Sequence, residues 1–139
     1  MKVIIEDGSN FVLRFDKGDD VISGLANFMK EQAIFTSSFQ GLGACSEVEL
    51  AFFNPHIKDY RKKPFMEEME VVSLIGNGSL KDGVPIIHCH GVFGRNDFTL
   101  IGGHVFRLIV SVTVEVSFKK IEGAAQRVMN PDFNLNLLS

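Results

Sequence analysis

The sequence predicts an α+β domain that consists mainly of antiparallel β-sheet and has one principal helix near the N-terminus. Three observations lead to this prediction. Strand-like apolar runs fill most of the chain after residue 34, and only one early segment has apolar residues at helical spacing. Short turns that contain glycine, asparagine or aspartate separate neighbouring runs, as is typical of antiparallel sheets.

Length and composition indicate one packed domain over residues 1–139. The chain is 45% hydrophobic and 22% charged, which is ordinary globular composition. The longest apolar runs span three or four residues, whereas a helix needs about 20 to cross a bilayer. Residues 1–7 become acidic before a signal-peptide core can form. We therefore predict a cytoplasmic protein with no membrane contact.

The first elements are a hairpin and the helix. Lys2–Ile5 and Asn10–Phe15 predict two strands, joined by a turn at residues 7–9. The apolar residues that follow have the spacing of one helix face and predict a helix over residues 20–33. Asp20 is placed to cap the free backbone N–H groups of its first turn.

Strand patterns dominate the rest of the chain. The basic stretch Lys58–Pro64 interrupts them and is predicted to be a solvated loop because proline disfavours regular structure; contact with an anion or nucleic acid is the alternative. Residues 130–139 are predicted to be irregular and to pack against a surface. The predicted strands are Phe35–Gln40, Ser46–Phe53, Glu70–Leu80, Ile86–Phe93, Phe98–His104 and Val105–Phe118.

Two features bear on binding partners. The stretch Val105–Val110 is apolar on both strand faces, so either the helix or another subunit must cover its second face, and we favour a subunit. The net charge is −3, from 14 basic and 17 acidic residues. This acidity does not support DNA binding, because neutralisation of phosphates supplies most non-specific affinity for nucleic acid.

Several residues that could carry chemistry have ordinary structural interpretations. Cys45 and Cys89 lie in apolar surroundings without CxxC spacing and are predicted to be buried, reduced thiols. His56 is predicted to be a surface residue. Glu115 could be a buried acid-base group, but an outward-facing or paired carboxylate is more usual. Gly76–Gly78 lacks the third glycine of a dinucleotide-binding fingerprint.

Three of the four histidines fall within 17 residues, in the segments His88-Cys89-His90 and Gly102-Gly103-His104. Side chains alternate along a strand, so His88 and His90 share one face. A three-residue loop at 95–97 would place His88 opposite His104 and bring all three imidazoles together. A two-residue loop would break this convergence, unless a bulge at Gly102-Gly103 restored it.

Three converging imidazoles indicate a metal site at His88, His90 and His104. Neutral imidazole suits zinc best among the abundant metals, and three protein ligands with one open position is the arrangement of catalytic zinc. Manganese, iron and nickel stay open as alternatives. The other interpretation is a group of hydrogen-bonded strand histidines around a polar cavity.

An ordered series of motifs extends over nearly the whole chain: Gly41–Ala44, Val48–Phe53, Glu70–Gly78, His88–His90, Gly102–His104 and Thr113–Val116. This series resembles the plants-and-prokaryotes-conserved (PPC) domain. The resemblance implies an α+β domain that forms a homotrimer, in a stand-alone prokaryotic form, since the chain has no Arg-Gly-Arg-Pro hook. The domain is also similar in fold to acetolactate decarboxylase, whose zinc is held by an HxH pair and a later histidine, matching His88, His90 and His104.

Two classes of function remain open. In the first, which we favour, the chain is a trimeric binding or regulatory module that holds a metal, and DNA binding is the role that the family resemblance implies. In the second, it is a small metal-dependent lyase or hydrolase that acts on an oxo-acid through the same histidines. The sequence identifies no catalytic residue, because no proton-transfer group can be placed beside the metal. A small-molecule ligand is compatible with both classes.

Overall fold

The computed structural model describes residues 1–139 and contains one helix and nine strands, so the predicted α+β class with mainly antiparallel sheet is confirmed. No helix is long and apolar enough to span a bilayer. The elements in chain order are β1 (Lys2–Asp7), β2 (Asn10–Asp16), α1 (Val21–Glu31), β3 (Ser37–Asn54), β4 (Asp59–Phe65), β5 (Met69–Lys81), β6 (Val84–Gly94), β7 (Leu100–Lys120), β8 (Arg127–Asn130) and β9 (Leu135–Leu138).

Seven strands form the main sheet, in the order β1-β2-β7-β6-β5-β3-β4, and a further pairing of β7 with β3 closes β3, β5, β6 and β7 into a ring. The long strands β3 and β7 change partners along their lengths, and irregularities in their register accompany these changes. Gly43 lies at such a point with φ +151°, where a Cβ atom would meet the Thr113 carbonyl oxygen at 2.1 Å. Only glycine fits this close approach of β3 to β7.

Helix α1 covers one face of the sheet and completes the hydrophobic core. Phe28 of the helix packs edge-on against Phe11 of β2 and Phe118 of β7, with ring centroids 5.3 Å apart in both pairs. Such edge-to-face contacts add to the free energy gained by burying the rings. The core therefore joins the N-terminal hairpin and the helix to the end of β7.

The helix boundaries follow from its caps. The Asp20 side chain accepts a hydrogen bond from the Ile22 backbone N–H at 3.1 Å, as its capping position predicts. The helix ends at Glu31, two residues before the predicted end. Ala33 adopts a left-handed backbone with φ 49°, and the Ile34 N–H donates to the Met29 carbonyl at 2.8 Å, which satisfies the helix terminus.

Two segments that were predicted to be irregular are strands. The predicted loop Lys58–Pro64 is wrong, because most of it belongs to β4. This strand lies at the edge of the sheet, where proline is tolerated because an edge strand has no neighbour on its outer side. The predicted irregular segment 130–139 is also wrong, because its second half is β9, which pairs with β8. The predicted strands Phe35–Gln40 and Ser46–Phe53 merge into one continuous strand, β3. The predicted strands Phe98–His104 and Val105–Phe118 likewise merge into β7.

The apolar start of β7 is covered within the chain itself. Val105, Leu108 and Val110 are buried in the core. On the other face Phe106 packs against the Tyr60 ring of β4, with centroids 5.2 Å apart. Ile109 is half-buried and pairs with Asp20, the cap of the helix. This stretch therefore does not itself require a second subunit, and the predicted trimer needs other support.

Candidate metal centre

The β6–β7 hairpin positions the three histidines. Gly94 pairs with Leu100, so the connecting loop has five residues, Arg95–Thr99, and His90 lies opposite His104. The predicted three-residue loop, which placed His88 opposite His104, is therefore wrong. The longer loop is stabilised by the Asp97 carboxylate, which accepts from the Thr99 backbone N–H at 3.0 Å. It shifts the register by two residues, and a shift of two keeps every side chain on its face.

The predicted convergence of the imidazoles is observed. The ring centroids of His88, His90 and His104 lie 5.1 to 5.3 Å apart. Each ring offers one nitrogen as a ligand atom, and these three nitrogens all lie within 4.8 Å of one another. Zinc bonds of about 2.0 to 2.1 Å place ligand nitrogens about 3.4 Å apart in a tetrahedral site. The donor set therefore fits a metal ion after small rotations of the side chains.

Burial and positive neighbours favour the uncharged form of two of the three imidazoles. Burial lowers the pKa of His104 to about 4, and positive charge on the other two histidines, Lys62 and Arg127 acts in the same direction. Burial, followed by the charge of Arg127, also lowers the pKa of His88. His90 is exposed. Neutral imidazole is the form that binds a metal, so His88 and His104 are ready to bind at neutral pH.

Tyr60 of β4 and Phe106 of β7 form an aromatic wall beside His104. The Tyr60 ring lies 5.1 Å from the His104 ring and the Phe106 ring lies 4.6 Å from it. Lys62 Nζ stands 3.7 Å above the Phe106 ring. Tyr60 is the only tyrosine of the chain, and burial raises the pKa of its phenol. The contact between Tyr60 and His104 was not predicted from the sequence, because Tyr60 lies in the stretch that was predicted to be a solvated loop.

Arg127 of β8 lies near the cluster as well. Its Nη2 atom donates to the Asn77 side-chain oxygen at 2.9 Å, and Asn77 is the register partner of His88. Its Nε atom donates to Ser79 Oγ at 2.8 Å. No periodicity marked Arg127 as a site residue. The only available signal was an arginine in a semi-apolar C-terminal stretch, which is too general to predict a contact across the sheet.

The remaining candidate residues do not contribute ligand atoms to the cluster. Glu115 is exposed on β7 opposite Arg14, in agreement with an outward-facing carboxylate. His56 is exposed, as predicted. Cys45 and Cys89 are buried free thiols, as predicted, and burial raises the pKa of each to about 12. The grouped metal-binding side chains are thus the three histidines alone, without a carboxylate.

Comparisons with solved structures show close likenesses. A proposed DNA-binding protein from Bacteroides thetaiotaomicron is 31% identical with a TM-score of 0.93, covering 97% of this chain and 94% of that one. A metal-containing protein from Archaeoglobus fulgidus is 30% identical with a TM-score of 0.88, covering 100% of this chain and 99% of that one. No functionally curated protein has a significant similarity to the chain.

A more distant likeness concerns the fold alone. Acetolactate decarboxylase from Bacillus subtilis is 13% identical with a TM-score of 0.57, covering 91% of this chain and 58% of that enzyme. The family comparison is more specific, because the sequence profile of the Plants and Prokaryotes Conserved domain, abbreviated PCC or PPC, matches residues 5–122. Since the match covers most of the chain and agrees with the sheet, the helix and the order of the motifs, the chain belongs to this family.

Proposed function

We propose that the chain is a metal-binding PPC module that holds one divalent transition-metal ion, with zinc as the first candidate, at His88, His90 and His104. The observation that carries the proposal is the geometry of the cluster: three imidazoles from two paired strands have ligand atoms within 4.8 Å of one another. A second observation supports it, since burial keeps two of them neutral. Three protein ligands leave a position for a small ligand.

The chain's own residues would perform distinct tasks around the ion. The histidines bind it, and the Tyr60 and Phe106 rings exclude water on the β4 side of His104. Exposed His90 leaves the opposite side accessible to a ligand. A metal bound here would supply Lewis acidity or lower the pKa of a bound water molecule.

The test is the zinc affinity of metal-free protein, measured by competition with a chromophoric chelator. We expect His88→Ala and His104→Ala each to weaken binding by at least about a hundredfold, since each removes one of three ligands. His56→Ala is the matched control, because His56 is an exposed histidine outside the cluster, and should bind zinc like the wild type. Equal zinc affinity in all four proteins would contradict the site assignment.

The module is further proposed to be a homotrimer, and exposed apolar side chains support this. Val72 lines one surface depression with Leu42, and a second with Leu100 and Val112. Each of these four side chains is more than half exposed. Exposed apolar side chains grouped in this way are typical of an interface. Sedimentation should give a mass of about 46 kDa, three times the 15.4 kDa of one chain, and a monomer would contradict the trimer.

Catalysis on an oxo-acid is the second candidate function. The fold shared with acetolactate decarboxylase and the Tyr60 phenol beside His104 favour it. A screen of small oxo-acids for decarboxylation or hydrolysis by zinc-loaded protein tests this function. Turnover that is lost in His104→Ala and kept in His56→Ala would support an enzyme. Equal turnover in all three proteins would assign it to a contaminant.

DNA binding, the proposed role of the relative from Bacteroides, has weaker support here. Arg61 and Lys63 are exposed on the edge strand β4 and offer positive charge, but the chain as a whole has a net charge of −3. We expect only non-specific affinity, with Kd no tighter than about 1 μM at physiological salt. Fluorescence anisotropy with labelled duplexes tests this expectation, and a nanomolar complex that Arg61→Gln weakens would contradict it.

A further inference from the structure

Arg127 lies beside the histidine cluster without a carboxylate partner. Its guanidinium donates to Asn77 and Ser79 side-chain oxygens and, at 3.1 Å, to the Asn136 carbonyl. All three acceptors are neutral, and none of the ion pairs of the structure includes Arg127. A guanidinium has five N–H groups, so about two remain free for a ligand.

The register places this guanidinium on the histidine face of the sheet. Asn77 of β5 pairs directly with His88 of β6, and side chains that are directly opposite each other in a sheet share a face. Arg127 Nη2 lies 2.9 Å from Asn77 Oδ1. The guanidinium therefore lies on the same face of the sheet as the metal ligands, next to the register partner of His88.

The charge of the site is unbalanced once a metal is bound. Three neutral imidazoles leave the full double charge of the ion uncompensated, and Arg127 adds another positive charge. Lys62, also near His104, has a partner in Glu49 at 3.3 Å, but no carboxylate belongs to the cluster. Partly buried charge of one sign is costly unless an opposite charge compensates it. An anionic ligand is the missing partner.

We propose that Arg127 and the bound metal together form a subsite for an oxyanion, namely the carboxylate of a small organic acid or a phosphate. This inference rests on the metal site proposed above and specifies the chemical class of its ligand. A planar guanidinium with two free N–H groups suits the paired oxygens of such a group. The oxyanion compensates the positive charge of the metal ion, so each should increase the affinity of the protein for the other. The two increases should be equal, because coupling between two ligands is reciprocal.

The experiment uses protein loaded with one equivalent of Co²⁺, whose visible absorption reports changes in coordination. Acetate is titrated in one arm and inorganic phosphate in the other, and the arm with the tighter binding identifies the source of the oxyanion. We expect saturable binding that Arg127→Gln weakens by at least about tenfold, the usual worth of a charge-assisted hydrogen bond. Arg14→Gln is the matched control, because Arg14 is a half-buried arginine of β2 outside the histidine cluster, and should bind like the wild type.

A second variant tests the inference while keeping Arg127, whose hydrogen bonds connect β8 to Asn77 and Ser79 of β5. Asn77→Asp keeps an acceptor for Arg127 and supplies the carboxylate that the site lacks, so it should also weaken oxyanion binding by about tenfold or more. Cobalt loading is checked first in every protein. Failure to bind cobalt overturns the metal site, and this inference with it. Normal loading with equal oxyanion affinity in wild type, Arg127→Gln and Asn77→Asp overturns the oxyanion subsite alone.

Discussion

The two faces of β6 differ in burial and in chemistry. Cys89 points into the core, where it is fully buried among apolar side chains beneath α1. His88 and His90 point to the other face, where they remain partly accessible. Their surroundings carry the positive charges of Lys62 and Arg127 and no carboxylate within the cluster. One strand thus separates a face that stabilises the fold from a face that is arranged for binding.

The two faces of β6 should therefore respond to different perturbations. The core face is stabilised by burial of apolar groups, and a substitution there costs stability whether or not a ligand is present. The histidine face is stabilised little by its own charges, which have the same sign. A metal ion should therefore stabilise the protein only through this face.

The largest effect is expected in the core. Phe28→Ala should lower the free energy of unfolding by about 3 to 5 kcal/mol, because it removes a buried ring and leaves a cavity. Urea denaturation of the metal-free protein measures the loss. Phe52→Ala is the matched control, since Phe52 is 62% exposed and is not one of the side chains proposed for the trimer interface, and should change the free energy by at most about 0.5 kcal/mol. Similar losses in the two variants would contradict the assignment of the core.

A smaller effect separates the histidine face from the core. Zinc at a hundred times its Kd should raise the free energy of unfolding of wild type and Phe28→Ala by about 2.7 kcal/mol, the amount expected for a ligand that binds only the folded state. His104→Ala should lose this increase because it lacks one of the three ligands. Thermal or urea denaturation with and without zinc measures it. Equal stabilisation of all three proteins would place the metal elsewhere.

The pH dependence of the metal-free protein gives a third distinction. His104 has a pKa of about 4 in the folded chain, against 6.5 in an unfolded one. As pH falls below 6.5, the unfolded chain binds a proton that folded His104 does not, so stability falls between pH 6.5 and about 4. His104→Phe should have a flatter profile in this window. Identical profiles would show that the burial of His104 has no thermodynamic effect.

The smallest change is expected at the thiols on the core side. Burial raises the pKa of Cys45 and Cys89 to about 12, and both side chains are fully buried. Neither should react with a thiol reagent at pH 8 while the protein is folded, because the thiolate is the reactive form. Both should react once the protein is unfolded in guanidinium. Rapid labelling of Cys89 in the folded protein would contradict the orientation of β6.

The features that local pattern determines could be predicted from the sequence. Helical spacing and the Asp20 cap placed α1 to within two residues of its observed end. Strand alternation placed His88 and His90 on one face, and the prediction that His104 joins them holds although the loop is longer than expected. It holds because the side-chain period of a strand is two, so an error of two residues leaves the face unchanged.

The features that depend on contacts between distant residues could not be predicted. Arg127 reaches Ser79, 48 residues earlier in the chain, and no periodicity reports such a pair. Tyr60 was assigned to a loop because Pro64 argues against a helix, but Pro64 is tolerated in an edge strand. The positive charge around the histidines therefore becomes visible only when β4, β6 and β8 are placed in three dimensions.

Elemental analysis tests the central claim most directly. Untagged protein is purified without metal-affinity resin or chelator, and the content of transition metals is measured per subunit. The account predicts about one divalent ion per chain, bound by the three histidines that the sheet brings together. A chain that contains no metal, and that takes up none when zinc is added, would contradict it and leave His88, His90 and His104 as a structural cluster.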